Sequence, residues 1–174
     1  MKLKQTAVPY TRVVSLPRPD GSVWTFTLRP LPLGFHRRMR EMGVVPPVPP
    51  TKIARDSTGK PLRDDAGLAV MQVDAHDAQY LGAIELYHQR IATLAFAEAL
   101  KADTHASFET PSPAVGECWN TYADALYIEL ENAGFTAGDL ISLCDEVAKL
   151  SNLLGDHLQR SQSSFSSTGP TTPT

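Results

Sequence analysis

Cysteine is scarce in this chain, and so are the clusters that chemistry needs. Cys118 and Cys144 are the two cysteines among 174 residues and have no CxxC spacing. That excludes a disulfide scaffold and leaves reduced, partly buried thiols as the expectation. The five histidines, His36, His76, His88, His105 and His157, stand singly, without an HxH or HExxH pattern, so metal ligation has no support. No serine lies in GxSxG and no glycine-rich phosphate loop occurs. The acidic pairs Asp64-Asp65, Asp145-Glu146 and Glu129/Glu131 are adjacent or two apart, spacings that do not converge on one point of a helix. The residues argue against an enzyme, and no cofactor is implied. No apolar run reaches the ~18 residues of a membrane span. Behind Met1-Lys2-Leu3-Lys4 there is no stretch of signal-peptide length, so the cytoplasm is the expected compartment.

What is present is a separation of charge. Residues 1–63 carry 12 Lys and Arg against Asp20, Glu41 and Asp56, a balance of +9, whereas residues 64–174 carry 4 against 16 acids, a balance of −12. Opposed blocks of this kind steer surfaces together or neutralise each other within one molecule. The whole-chain charge of −3 hides the split, and a hydrophobic content of 42% is ordinary for a globular protein.

Ten of the fourteen prolines precede residue 64, so helix there must be short. Thr11–Leu16 and Val23–Leu28 flank the turn signal Pro17-Arg18-Pro19-Asp20-Gly21 and read as a β-hairpin. Trp24, Phe26 and Leu28 share one face, which must lie on helices of the same chain or on a partner, and the hairpin edge is open to strand addition. Leu31–Gly43 reads as a short basic helix with Phe35, Met39 and Met42 at helical spacing and Arg37, Arg38 and Arg40 either a solvated face near the helix C-terminus or a contact to an acidic surface or phosphate. Trp24, Phe26, Arg29, Arg37, Arg38 and Arg40 are therefore the candidate partner-binding residues.

Residues 44–74 lack helical periodicity and read as a Pro-rich spacer or extended arm. Three amphipathic helices follow. The first runs from Ala75 to Lys101, capped by Asp74, with His88 on its apolar stripe. The second is capped by Ser112 with Pro113 at its first position and ends at Gly134. The third starts at Thr136-x-x-Asp139 and carries Leu140, Leu143, Val147, Leu150, Leu154 and Leu158. Residues 161–174 form a Ser/Thr/Pro tail expected to lack structure. No internal repeat is evident. The expected fold is α+β, mainly α: an N-terminal β-hairpin with a short basic helix (1–43), the arm (44–74), an acidic helical bundle (75–160) and the tail.

The order of a hairpin closing on Phe26-Thr27-Leu28-Arg29-Pro30-Leu31, a short helix, a Pro-rich insertion and an acidic helical bundle resembles the tail assembly chaperones of long-tailed bacteriophages across residues 8–158. The resemblance implies a non-enzymatic protein of the host cell cytoplasm. Such a protein binds the tape measure protein and helps recruit tail tube subunits. A head-to-tail contact between the two charge blocks would suit such coating. A structural virion component of the neck, tail or baseplate and a small nucleic-acid-binding module are the alternatives.

Overall fold

The computed structural model describes residues 10–114 and 116–153. In chain order the elements are β1 (Arg12–Pro17), β2 (Val23–Leu28), α1 (Phe35–Glu41), β3 (Thr51–Ile53), β4 (Met71–Val73), α2 (Ala78–Leu100), α3 (Trp119–Asn132) and α4 (Ala137–Leu150). The fold is α+β, mainly α, as the sequence leads one to expect.

The β1–β2 turn follows from its residues. Pro19 presets φ, the Asp20 carboxylate accepts the Ser22 N–H at 2.9 Å, and Gly21 supplies φ +83°. Its bonds, Gly21 N–H to Arg18 C=O and Arg18 N–H to Ser22 C=O, recur at two further turns described below. Along β2 the period-2 alternation sends Phe26 and Leu28 into the core and leaves Trp24 half-buried.

Three helices end in the same way. Gly43, Gly134 and Asn152 take positive φ, and the residue after each, Val44, Phe135 or Leu153, donates its N–H to the carbonyl five residues back, on Met39, Leu130 and Ala148. This closure satisfies carbonyls that a helix end otherwise orphans. It also brings Val44 onto Met39 and Phe135 onto Leu130 inside the core.

α2 is the central element. Its second half is buried from Thr93 to Phe96 and again at Ala99 and Leu100, with α3, α4 and the hairpin packed around it. Phe26 meets Phe96 edge-to-face at 5.9 Å, and Phe135 lies 5.8 Å from Phe26 and 5.0 Å from Trp24. A second group, Phe35, Met39, Val44, Leu94, Ala123 and Leu126, joins α1 to α2 and α3. The hairpin and α1 therefore share their cores with the helices. A boundary at residue 75 separates no folding unit.

Several expectations are corrected. α2 starts at Ala78 and is capped by Asp77, which accepts from Tyr80 N–H at 2.8 Å, while Asp74, paired with Lys52 at 2.9 Å, forms the turn before it by accepting the His76 and Asp77 N–H groups at 3.4 Å. α3 starts at Trp119 rather than at Ser112 and Pro113, which lie in the preceding loop. His88 is exposed, since no residue of α2 before Thr93 is buried, and Met42 is exposed at the C-cap of α1. The capping box of Thr136 and Asp139 is present as expected. Leu154, Leu158 and the tail lie outside the described residues.

Residues 50–74 form a three-leaved β arm. β3 pairs antiparallel with β4, with Ile53 opposite Met71 and Thr51 opposite Val73. Beyond them Ala54, Leu62 and Val70, eight residues apart, close a ring of hydrogen bonds: Ala54 N–H to Val70 C=O, Val70 N–H to Leu62 C=O, and Leu62 N–H to Ala54 C=O, all 2.8–3.0 Å. Ala54 is buried at this junction. Two leaves are tight turns that repeat one sequence, Arg55-Asp56-Ser57-Thr58-Gly59 and Arg63-Asp64-Asp65-Ala66-Gly67. In each the Asp carboxylate accepts two backbone N–H groups, the Arg donates to the Gly carbonyl, and the Gly has φ near +80°. The chain thus has an internal repeat of eight residues, inconspicuous in the sequence because its signature is only Arg-Asp-x-x-Gly.

Candidate interaction surface

The residues singled out from the sequence fall into three groups. Phe26 is 7% exposed and belongs to the core. Trp24 is covered by Phe135 and by the Arg18 guanidinium, 4.0 Å above its ring. Arg29 binds Glu98, with Nη2 at 2.6 Å from the carboxylate and Nε donating to the Glu98 carbonyl at 3.1 Å. These three serve the fold. Arg37 and Arg40 are exposed on α1, Arg37 lying 3.7 Å from Glu41, whereas Arg38 is half-buried. The three α1 arginines therefore do not form one exposed face.

The charge split is partly closed inside the molecule. Arg12 pairs with Glu146 at 3.0 Å, Arg18 with Asp139 at 2.5 Å and Arg29 with Glu98 at 2.6 Å, each joining the basic half to the acidic half. Arg18 also donates to the Gly134 carbonyl. Within the acidic half, Asp124 is held by Nε and Nη2 of Arg90 at 2.7 and 2.6 Å. Among the described residues no group of three or more His, Cys, Asp or Glu is arranged to hold a metal ion, and no helix is long and apolar enough to cross a membrane.

An exposed apolar strip lies on the arm. Strand alternation puts Thr51, Ile53, Met71 and Val73 on one face of the β3–β4 ribbon and Lys52 with Gln72 on the other. Ile53, Met71 and Val73 are 40%, 55% and 60% exposed, and Leu68 on a neighbouring leaf and Leu81 on the first half of α2 are also exposed. A ribbon with one apolar and one polar face normally covers the apolar one, so a face left open is a candidate contact surface. The sequence signal for it was the alternation Met71-Gln72-Val73 opposite Thr51-Lys52-Ile53, three residues each and too short to stand out.

Compared with protein-family models, with curated proteins and with solved structures, the chain matches none.

Proposed function

We propose that this chain is a protein-binding assembly factor without catalytic activity, a tail assembly chaperone of a long-tailed phage. In this role it holds the tape measure protein and helps recruit tail tube subunits in the host cytoplasm. The observation that carries the reading is the apolar face of the β3–β4 ribbon, presented by a hydrogen-bonded arm that departs from a well-packed body. A chaperone needs such a surface, since it must offer apolar contacts to a client while its own core stays closed. The layout of hairpin, short helix, insertion and acidic helices adds the phage assignment.

The arm can be removed cleanly. The Pro50 carbonyl accepts the Asp74 N–H at 2.7 Å, so the two ends are adjacent. Replacing residues 51–73 with two glycines should leave the thermal transition within a few degrees of the parent and abolish copurification of the tape measure protein on co-expression. The parent chain should be found in infected-cell lysate and be missing from purified particles. Stoichiometric presence in finished particles would assign it to the virion structure instead, and undiminished capture by the armless chain would remove the arm from the function.

A further inference from the structure

We propose that the groove between β1 and α4 is a peptide slot that takes an extended, basic segment of a partner protein as a third strand on the hairpin. In an antiparallel pair successive residues turn their N–H and C=O alternately toward the partner strand and away from it. The bond from Arg18 N–H to Ser22 C=O at 2.8 Å sets the phase. Arg12, Val14 and Leu16 face β2, while Val13, Ser15 and Pro17 turn their backbone groups outward.

The two edges of the hairpin are treated differently. On β2 the chain covers the C-terminal end of the edge: Thr27 N–H donates to the Asp103 carboxylate at 2.5 Å, and just past the strand Arg29 N–H donates to the Ala99 carbonyl at 3.0 Å, while the outward groups of Val23 and Thr25 face solvent with no helix among the described residues beside them to form a slot. On β1 the N–H groups of Val13 and Ser15 and the carbonyls of Val13, Ser15 and Pro17 have no hydrogen-bond partner among the described residues. That edge borders a groove of about 520 Å³ whose far wall is α4. An unpaired edge beside a helix is complementary to a polypeptide backbone, because an added strand satisfies donors and acceptors together. Pro17 has no N–H and ends the row of donors, so the matching segment is about four residues, or ~13 Å at strand rise.

Charge on the far wall selects the side chains. Glu146 is shared by Arg12 at 3.0 Å and Lys149 at 2.6 Å, whereas Asp145 lines the groove, is exposed and has no ion pair among the described residues. The spare acid favours a Lys or Arg on the incoming strand. A second copy of the chain suits the slot less well. Each copy's β1 edge is flanked by its own α4, so two edges would close only by driving two acidic helices together. The inference is independent of the arm and of the phage assignment.

The test uses the isotopically labelled full chain and the synthetic peptide acetyl-Thr-Lys-Val-Arg-Val-Thr-amide, with a control carrying Glu for Lys and Arg. The basic peptide should shift the Val13 and Ser15 amide resonances and slow their hydrogen exchange at least tenfold, while the acidic control does neither. Ser15→Pro deletes one outward donor without touching the β1–β2 ladder and should weaken binding tenfold or more. Asp145→Lys, at an exposed helix position that leaves folding intact, should abolish the preference for the basic peptide. Unmoved Val13 and Ser15 amides at millimolar peptide, or full binding by Asp145→Lys, would overturn the proposal. So would a dimer in sedimentation that Ser15→Pro converts to monomer, which would assign the edge to self-association.

Discussion

Arg18 donates to Asp139 at 2.5 Å across 121 residues of sequence, with its guanidinium lying over Trp24. One side chain thus ties the hairpin turn to the N-terminus of α4, whose capping box uses the same Asp139 carboxylate through the Thr136 N–H at 2.8 Å. Both partners are largely shielded from water, with side-chain exposures of 12% and 14%. Arg18→Ala should cost about 2 kcal/mol, since a charge-assisted hydrogen bond and a cation–π contact disappear together. Denaturant unfolding of the variant beside the parent measures it, and a loss below ~0.5 kcal/mol would show an ordinary surface pair.

Stability should fall in acid. Burial opposes ionisation of Asp139, Asp103 and Glu98, yet backbone N–H groups at the two aspartates, Lys101 and Arg29 at Glu98, and Arg18 at Asp139 outweigh it and hold each carboxyl below its ordinary value of 3.8 or 4.5. Lys149 and then Arg12 lower Glu146 as well. Because the folded values lie below the unfolded ones, this stabilisation is fully present above about pH 5 and is lost as pH falls through the folded values. A thermal midpoint that is flat from pH 7 to 5 and drops progressively below pH 4 is the expected profile.

The two thiols should react in order. Cys118 is exposed, and the Thr121 and Asn120 backbone N–H groups at the start of α3 hold its thiol below the ordinary value. Burial, with Asp145 adding to it, pushes Cys144 up to about 11. Iodoacetamide at pH 7.5 should alkylate Cys118 at least tenfold faster, with Cys144 reacting only as the chain unfolds. Peptide mass spectrometry against time reads the order.

Core and arm should separate by mutation. Phe26→Ala removes a ring packed against Phe96 and Phe135 and should cost roughly 3–4 kcal/mol. Ile53→Lys on the exposed ribbon face should change stability by less than ~0.5 kcal/mol and weaken client capture. A large stability loss in Ile53→Lys would mean that the ribbon face packs on its own chain.

The sequence by itself determined the local structure. Pro19-Asp20-Gly21 dictates a turn, Val23–Leu28 alternates with the strand period, Gly43 and Gly134 stop helices, and Thr136 with Asp139 forms a cap. Each depends on residues within five positions of one another, which pattern and propensity can report. The start of α2 shows where that ends. Asp74 and Asp77 are both competent caps, and the helix takes the second, Asp74 instead forming the turn before it and pairing with Lys52, which only the fold of the arm brings near.

Tertiary structure alone decided which charges are spent and which edges stay open. A +9 block beside a −12 block says nothing about pairing, because Arg12, Arg18 and Arg29 meet their acids across 134, 121 and 69 residues. The same holds for the hairpin. Its two edges look equivalent in sequence, and only the fold brings Asp103 and Ala99 to one end of the β2 edge and sets α4 across a groove from β1. Long-range placement depends on how the whole apolar surface is buried at once, and no local window contains that information.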